Sequence, residues 1–253
     1  MAKSFLTSQS PLITEMIQCK TYSQDKQKII TAVNGGATAI GLQLHVMPKE
    51  EKTNDKLKDL FLTCGDLPIY VTNYRGAENA GKTDDDLADG LLNAVNLGAT
   101  IVDIMGDMFN PSPEELTTDK DAIKKQMALI DKIHANGGEV LISSHIQEYR
   151  SPERVLEIAL AQQSRGADIV KIVTGANTQE EELLNLQTCA LLKEKLTAKF
   201  LFLSGGKYNY LHRTIGPKLG VCMWLCFSCH DETTYVGPPL LEAVLRLKKA
   251  LKI

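Results

Sequence analysis

Four stretches of the chain share one pattern: a polar, helix-like segment ends at glycine and a short apolar run follows at once. They are "NGGATAIGLQLHV", "NLGATIVDIM", "NGGEVLISSHI" and "RGADIVKIV". Glycine supplies the left-handed cap that ends a helix, and the β-branched run after it prefers an extended backbone. The runs are apolar at nearly every position instead of alternating, as in strands covered on both faces. The whole chain yields about eight such strands, near 12–19, 39–46, 68–75, 101–107, 139–146, 169–175, 200–206 and 221–228. Amphipathic stretches separate them. In "SPERVLEIALAQQSRG", Ser151 can cap, Pro152 suits the first turn, and Val155, Ile158 and Ala159 share a face. Eight βα units in a chain of this length predict a single (β/α)8 TIM barrel over residues 1–253. A doubly wound open sheet is the second choice, but the first strand lacks a G-x-G-x-x-G turn after it.

Composition narrows the function. The 253 residues are 43% apolar with a formal net charge of −3 and no basic tract, which argues against a nucleic-acid partner. The N-terminus has no continuous apolar segment of a signal peptide, and no run approaches the roughly 18 apolar residues of a membrane span. Six scattered cysteines then read as reduced thiols of a cytoplasmic protein. Three of them, Cys222, Cys226 and Cys229, have the C-x3-C-x2-C spacing of an iron-sulfur site. On an extended strand Cys222 and Cys226 would lie roughly 13 Å apart with Cys229 turned away, so the thiolates cannot converge. They read as small buried hydrophobes.

The informative residues are polar ones that interrupt apolar strands. His145 lies near the end of the fifth strand on the same face as Ser143 and Leu141. Lys171 sits in the sixth, between Val170 and Ile172. Lysine is rarely buried without a partner or a task. Burial lowers its pKa, which a nucleophilic amine requires, and a neighbouring imidazole could move a proton α to a carbonyl. The structural alternative is a lysine paired to a strand carboxylate such as Asp103, beside a hydrogen-bonded core histidine. Arg75, ending the third strand, and Arg213, after the seventh, would stand at the same barrel mouth, where a planar guanidinium suits a carboxylate. His134, His212 and His230 read as surface residues.

These residues resemble type I 3-dehydroquinate dehydratase, the Schiff-base enzyme of the shikimate pathway of aromatic amino acid biosynthesis. The family's "SYHDF" is matched by "SSHIQ", its "GADIxKIA" by "GADIVKIV", and its S-M-G-x-x-G-x-x-S-R-x-x-G by "SGGKYNYLHRTIG". Its strand-three "TxR" is matched by "TNYR", with one extra residue before Arg75. The resemblance implies a Lys171 imine, His145 as general base and acid, Arg213 on the substrate carboxylate and Arg75 on ring oxygens. It implies no metal or diffusible cofactor, a small keto-acid substrate and a possible homodimer. The departures fall in the binding shell. The family's second-strand E-x-R pair is replaced by Gln43 and His45, and the strand-eight "S-A-P-G-Q" by "TYVGP", with Thr234 for serine and Pro238 for glutamine. Glu78 falls one position short of the family's glutamate. Two other readings remain open: a class I aldolase whose "SGGK" cradles a phosphate, and a non-catalytic barrel that binds a small acid.

Overall fold

A computed structural model describes residues 3–232, 234 and 237–252. Eight parallel strands alternate with helices around a barrel: β1 (Leu12–Ile17), β2 (Ala39–Gln43), β3 (Ile69–Thr72), β4 (Ile101–Met105), β5 (Glu139–His145), β6 (Ile169–Gly175), β7 (Lys199–Gly205) and β8 (Met223–Cys226). The helices are α1 (Tyr22–Gly35), α2 (Asn54–Thr63), α3 (Asp84–Leu97), α4 (Lys120–Ala135), α5 (Pro152–Ser164), α6 (Gln179–Lys195), α7 (Tyr210–Ile215) and α8 (Leu241–Leu251). Strands β1 to β7 each pair with the next in sequence, up to the β6–β7 pair, and β8 returns to β1 through Leu12↔Met223 and its successors. The remaining seam, between β7 and β8, is bridged where the Cys222 N–H donates to the Phe200 carbonyl. The chain is therefore a nearly closed TIM barrel, and the open-sheet alternative fails.

Local chemistry explains why the elements stop where they do. Helices α1 and α3 end on Gly36 and Gly98 in the left-handed region, at φ 96° and 117°. Ser151 caps α5 by accepting from the Arg154 N–H, with Pro152 as the first helical residue. Val155, Ile158 and Ala159 are wholly buried, as their spacing predicts. The strands are buried along nearly their whole length because helices cover one face and barrel side chains fill the other.

The cysteine motif dissolves in this setting. Cys222 precedes β8, Cys226 is buried within it, and Cys229 lies exposed beyond it. Burial pushes the Cys222 thiol up to about 12 and the Cys226 thiol well above its ordinary value, so both stay protonated. Among the described residues no helix is long and apolar enough to cross a membrane.

Candidate active site

Lys171 and His145 reach the barrel mouth by strand alternation. Ser143 pairs with Lys171 across β5 and β6, and His145 pairs with Val173 one step further toward the strand ends. Both side chains line a cavity of about 240 Å3 with Gln43, Thr72, Tyr74 and Arg213. Met16, Val173, Leu203 and Leu225 supply its apolar wall.

The Lys171 amine lies at the floor of this cavity with its side chain only 5% exposed. Nζ donates to Tyr74 Oη at 2.8 Å, Tyr70 Oη at 3.0 Å and Asp103 Oδ2 at 3.1 Å. The two phenols in turn donate to the same Asp103 oxygen. Burial alone would raise the Asp103 carboxyl, but the Lys171 ammonium, with His145 and the Tyr70 hydroxyl, outweighs it and holds the group below the usual carboxylate range. The lysine thus has the strand carboxylate of the structural alternative, and it also faces a cavity. The two are compatible, because a buried ammonium that faces a cavity still needs a counter-charge.

His145 is oriented by a residue that spacing did not suggest. Glu115, in the loop after β4, accepts from the His145 backbone N–H at 2.6 Å and lies 2.7 Å from its Nδ1 through the same oxygen. The loop that carries it is fixed from several sides. Glu115 itself is left-handed at φ 48°, and its carbonyl accepts from Ser144 Oγ. Glu114 is held by Arg150 and Arg154. Beneath, the buried Arg165 guanidinium donates to the carbonyls of Gly106 and Thr117 and to Gln126. Gly106 permits the close approach, since a Cβ there would meet the Glu115 carbonyl at 2.5 Å. Gln162 of α5 bonds both the N–H and the carbonyl of Lys171 and the Ser144 hydroxyl, so one amide ties the lysine's strand to the histidine's.

The other expected residues divide. Arg213 is buried, lines the cavity and is aimed by a bond from Nε to the Ser204 carbonyl. Gln43 also lines the cavity. His45 packs against Tyr74 with ring centroids 5.1 Å apart and planes tilted by 42°, and its Nδ1 is buried with no hydrogen-bond partner among the described residues. Burial, with the nearby Lys52 and Lys171 cations, lowers its pKa to about 4, leaving a neutral imidazole.

Arg75 is a correction. It forms a two-pronged pair with Asp84 at the start of α3, at 2.8 and 2.6 Å, and a third contact with Asp107 at 2.7 Å. The reason is parity: Tyr70, Thr72 and Tyr74 alternate onto the inner face, so the extra residue in "TNYR" turns Arg75 outward and puts Tyr74 in the mouth. Glu78 is exposed outside the cavity, while its neighbour Asn79 is buried and donates to Asn73 and the Tyr74 carbonyl. Thr234 exchanges hydrogen bonds with Asp231 and lines a separate hollow with Gln18, Lys20 and Gln24. His212 is a further correction. It is buried, edge-on to Phe202, and burial first, then the adjacent Arg213, lowers its pKa to about 3. The "SGGK" loop folds on its own surroundings, with the Tyr208 N–H given to the Ala176 carbonyl and Lys207 over the Tyr208 ring. Among the described residues no group of three or more His, Cys, Asp or Glu side chains is placed to hold a metal.

Comparison with known proteins agrees with this geometry. The family model described as type I 3-dehydroquinase matches residues 16–232. A 3-dehydroquinate dehydratase of Alkaliphilus oremlandii is 35% identical over 185 residues, 71% of this chain and 67% of that protein. One of Klebsiella pneumoniae is 29% identical over 161 residues, 62% and 59% of the respective chains. Among solved structures, a 3-dehydroquinate dehydratase from Geobacillus kaustophilus superposes with a TM-score of 0.85 at 13% identity, covering 99% of this chain and 95% of that one. A type I enzyme from Clostridium difficile, solved with covalently modified comenic acid, gives 0.82 at 16% identity, over 97% and 94%. The barrel, its mouth and a family match across most of the chain converge: this chain belongs to the type I 3-dehydroquinase family.

Proposed function

We propose that the chain is a hydro-lyase that converts 3-dehydroquinate to 3-dehydroshikimate through an imine on Lys171. The observation that supports this most is a buried amine facing a small cavity together with an oriented imidazole and a buried guanidinium. Lys171 condenses with the substrate ketone, and the iminium becomes the electron sink. His145 removes the proton from the adjacent carbon, then returns it to the departing β-hydroxyl as water leaves. Hydrolysis of the imine releases the enone. Arg213 holds the substrate carboxylate and Gln43 meets ring oxygens, while the neutral His45, which does not line the cavity, acts only by packing against Tyr74.

The test is a borohydride trap. Incubation with 3-dehydroquinate, reduction and peptide mass spectrometry give an adduct on Lys171. No adduct with any carbonyl compound would leave a non-catalytic barrel that binds a small acid.

Glu115 acts through His145. By accepting from Nδ1 it fixes the tautomer and leaves Nε2 for the substrate. Glu115→Gln keeps the shape and removes the charge, so kcat falls by about 10- to 100-fold with KM little changed. A kcat equal to the native value, or a loss carried by KM alone, would reduce Glu115 to a loop anchor.

A further inference from the structure

The three partners of the Lys171 amine are bonded to one another. Tyr70 and Tyr74 each accept from Nζ and donate onward to Asp103 Oδ2. Their positions differ. Tyr70 is wholly buried beneath the amine, whereas Tyr74 lines the cavity beside it. Tyr74 is therefore the hydroxyl of this network that a carbonyl bound at Lys171 can touch. We propose that Tyr74 is a catalytic residue whose hydroxyl, resupplied by Asp103, delivers to the substrate's carbonyl oxygen the two protons that imine formation strips from Lys171. This rests on the imine reading above and adds a residue to it.

The step balances. One proton passes from Nζ to Asp103 Oδ2, 3.1 Å away, leaving a neutral amine and a neutral acid. The amine lone pair attacks the carbonyl carbon, the C–N bond forms, and the C=O π pair moves to oxygen. That oxygen takes the Tyr74 proton as the phenol takes the proton from Asp103. The product is a carbinolamine with protonated nitrogen, beside a carboxylate once more. A second proton leaves nitrogen for Asp103 and reaches the same oxygen through Tyr74. Water then departs as the nitrogen lone pair closes the C=N bond. Ammonium plus ketone has become iminium plus water, and Asp103 ends as it began.

Two features fit this division of labour. Burial first, and then the Asp103 carboxylate, push the Tyr74 phenol well above its ordinary value, so it rests as a proton donor. The His145 ring meets Tyr74 edge-on, with centroids 5.2 Å apart, and is bonded to Glu115 instead of Asp103. The imidazole is thereby left for the carbon-bound proton while the phenol serves the carbonyl oxygen.

The experiment is a rapid-mix time course of borohydride-trapped Lys171 adduct with 3-dehydroquinate. It compares the native protein, Tyr74→Phe and Tyr70→Phe, each checked for native near-ultraviolet circular dichroism. Tyr74→Phe keeps the ring against His45 and His145 and loses only the hydroxyl. Imine formation in Tyr74→Phe is expected to slow by about tenfold or more. Tyr70→Phe should slow it less. Slowing of Tyr74→Phe by less than that, or equal slowing in Tyr70→Phe, overturns the relay while leaving the imine intact. A native protein that forms no Lys171 adduct overturns the imine reading itself, and the relay with it.

Discussion

Lys171→Met is expected to abolish the trapped adduct, to lower turnover by roughly 10⁴-fold or more, and to destabilise the fold by about 3–5 kcal/mol at neutral pH. The activity loss follows from removing the nucleophile. The stability loss has a separate cause, because the substitution leaves the Asp103 side chain, 0% exposed, with no cation beside it. Its pH dependence has a defined sign. In the native protein the Asp103 carboxyl is held below its unfolded value, so its contribution is full above about pH 4 and is lost as pH falls through the lower folded value. Without Lys171 the desolvation remains and the carboxyl rises above its unfolded value. The variant is then relatively most stable in acid and weakens as pH rises through about 4 and beyond. Urea unfolding at pH 4 and pH 8 reads this as a gap that widens with pH at constant m-value. Adding Asp103→Asn to Lys171→Met should narrow the gap at pH 8. Equal stability of Lys171→Met and the native protein at both pH values would mean that the pair is solvated.

His145→Ala should separate imine formation from elimination. Turnover is expected to fall by about 10²- to 10⁴-fold, the range for a general acid–base group, while the Lys171 adduct still forms. The trapped mass should then be that of the unreacted keto acid, because the step that stalls is removal of the carbon-bound proton. If the adduct disappears together with turnover, His145 is needed to make the imine and the division of labour with Tyr74 fails. Measuring the adduct and the product in the same quenched samples distinguishes the two.

The barrel and its two leading residues were legible because both rest on burial. A run of aliphatic residues is a strand covered on both faces, and a lysine or histidine inside it must have a partner or a task; Lys171 and His145 have partners in Asp103 and Glu115, and both line the cavity. Tyr74 was hidden by ordinariness. A tyrosine near a strand end attracts no notice beside an arginine, yet counting by twos from Tyr70 puts Tyr74 on the inner face and Arg75 on the outer. The bidentate Asp84 partner that Arg75 finds outside comes from α3, and sequence distance did not reveal it. Glu115 left no usable signal. It sits in "NPSPEEL" beside an equally acidic Glu114, and only the folded loop decides which reaches His145 and which pairs with Arg150 and Arg154. His212 was misjudged because α7 is short, and "YLHRTI" shows no clear apolar face to say which residues turn inward.

The left-handed backbone at Glu115 places conflicting demands on one position. A non-glycine residue at φ 48° costs about 1 kcal/mol or more, which glycine would relieve without disturbing the carbonyl that Ser144 grips. Glycine would also remove the carboxylate from His145. Variants of this loop sorted for folding alone should therefore drift toward glycine or asparagine, and variants sorted for turnover should return to glutamate. The residue is a point at which robustness and chemistry select in opposite directions.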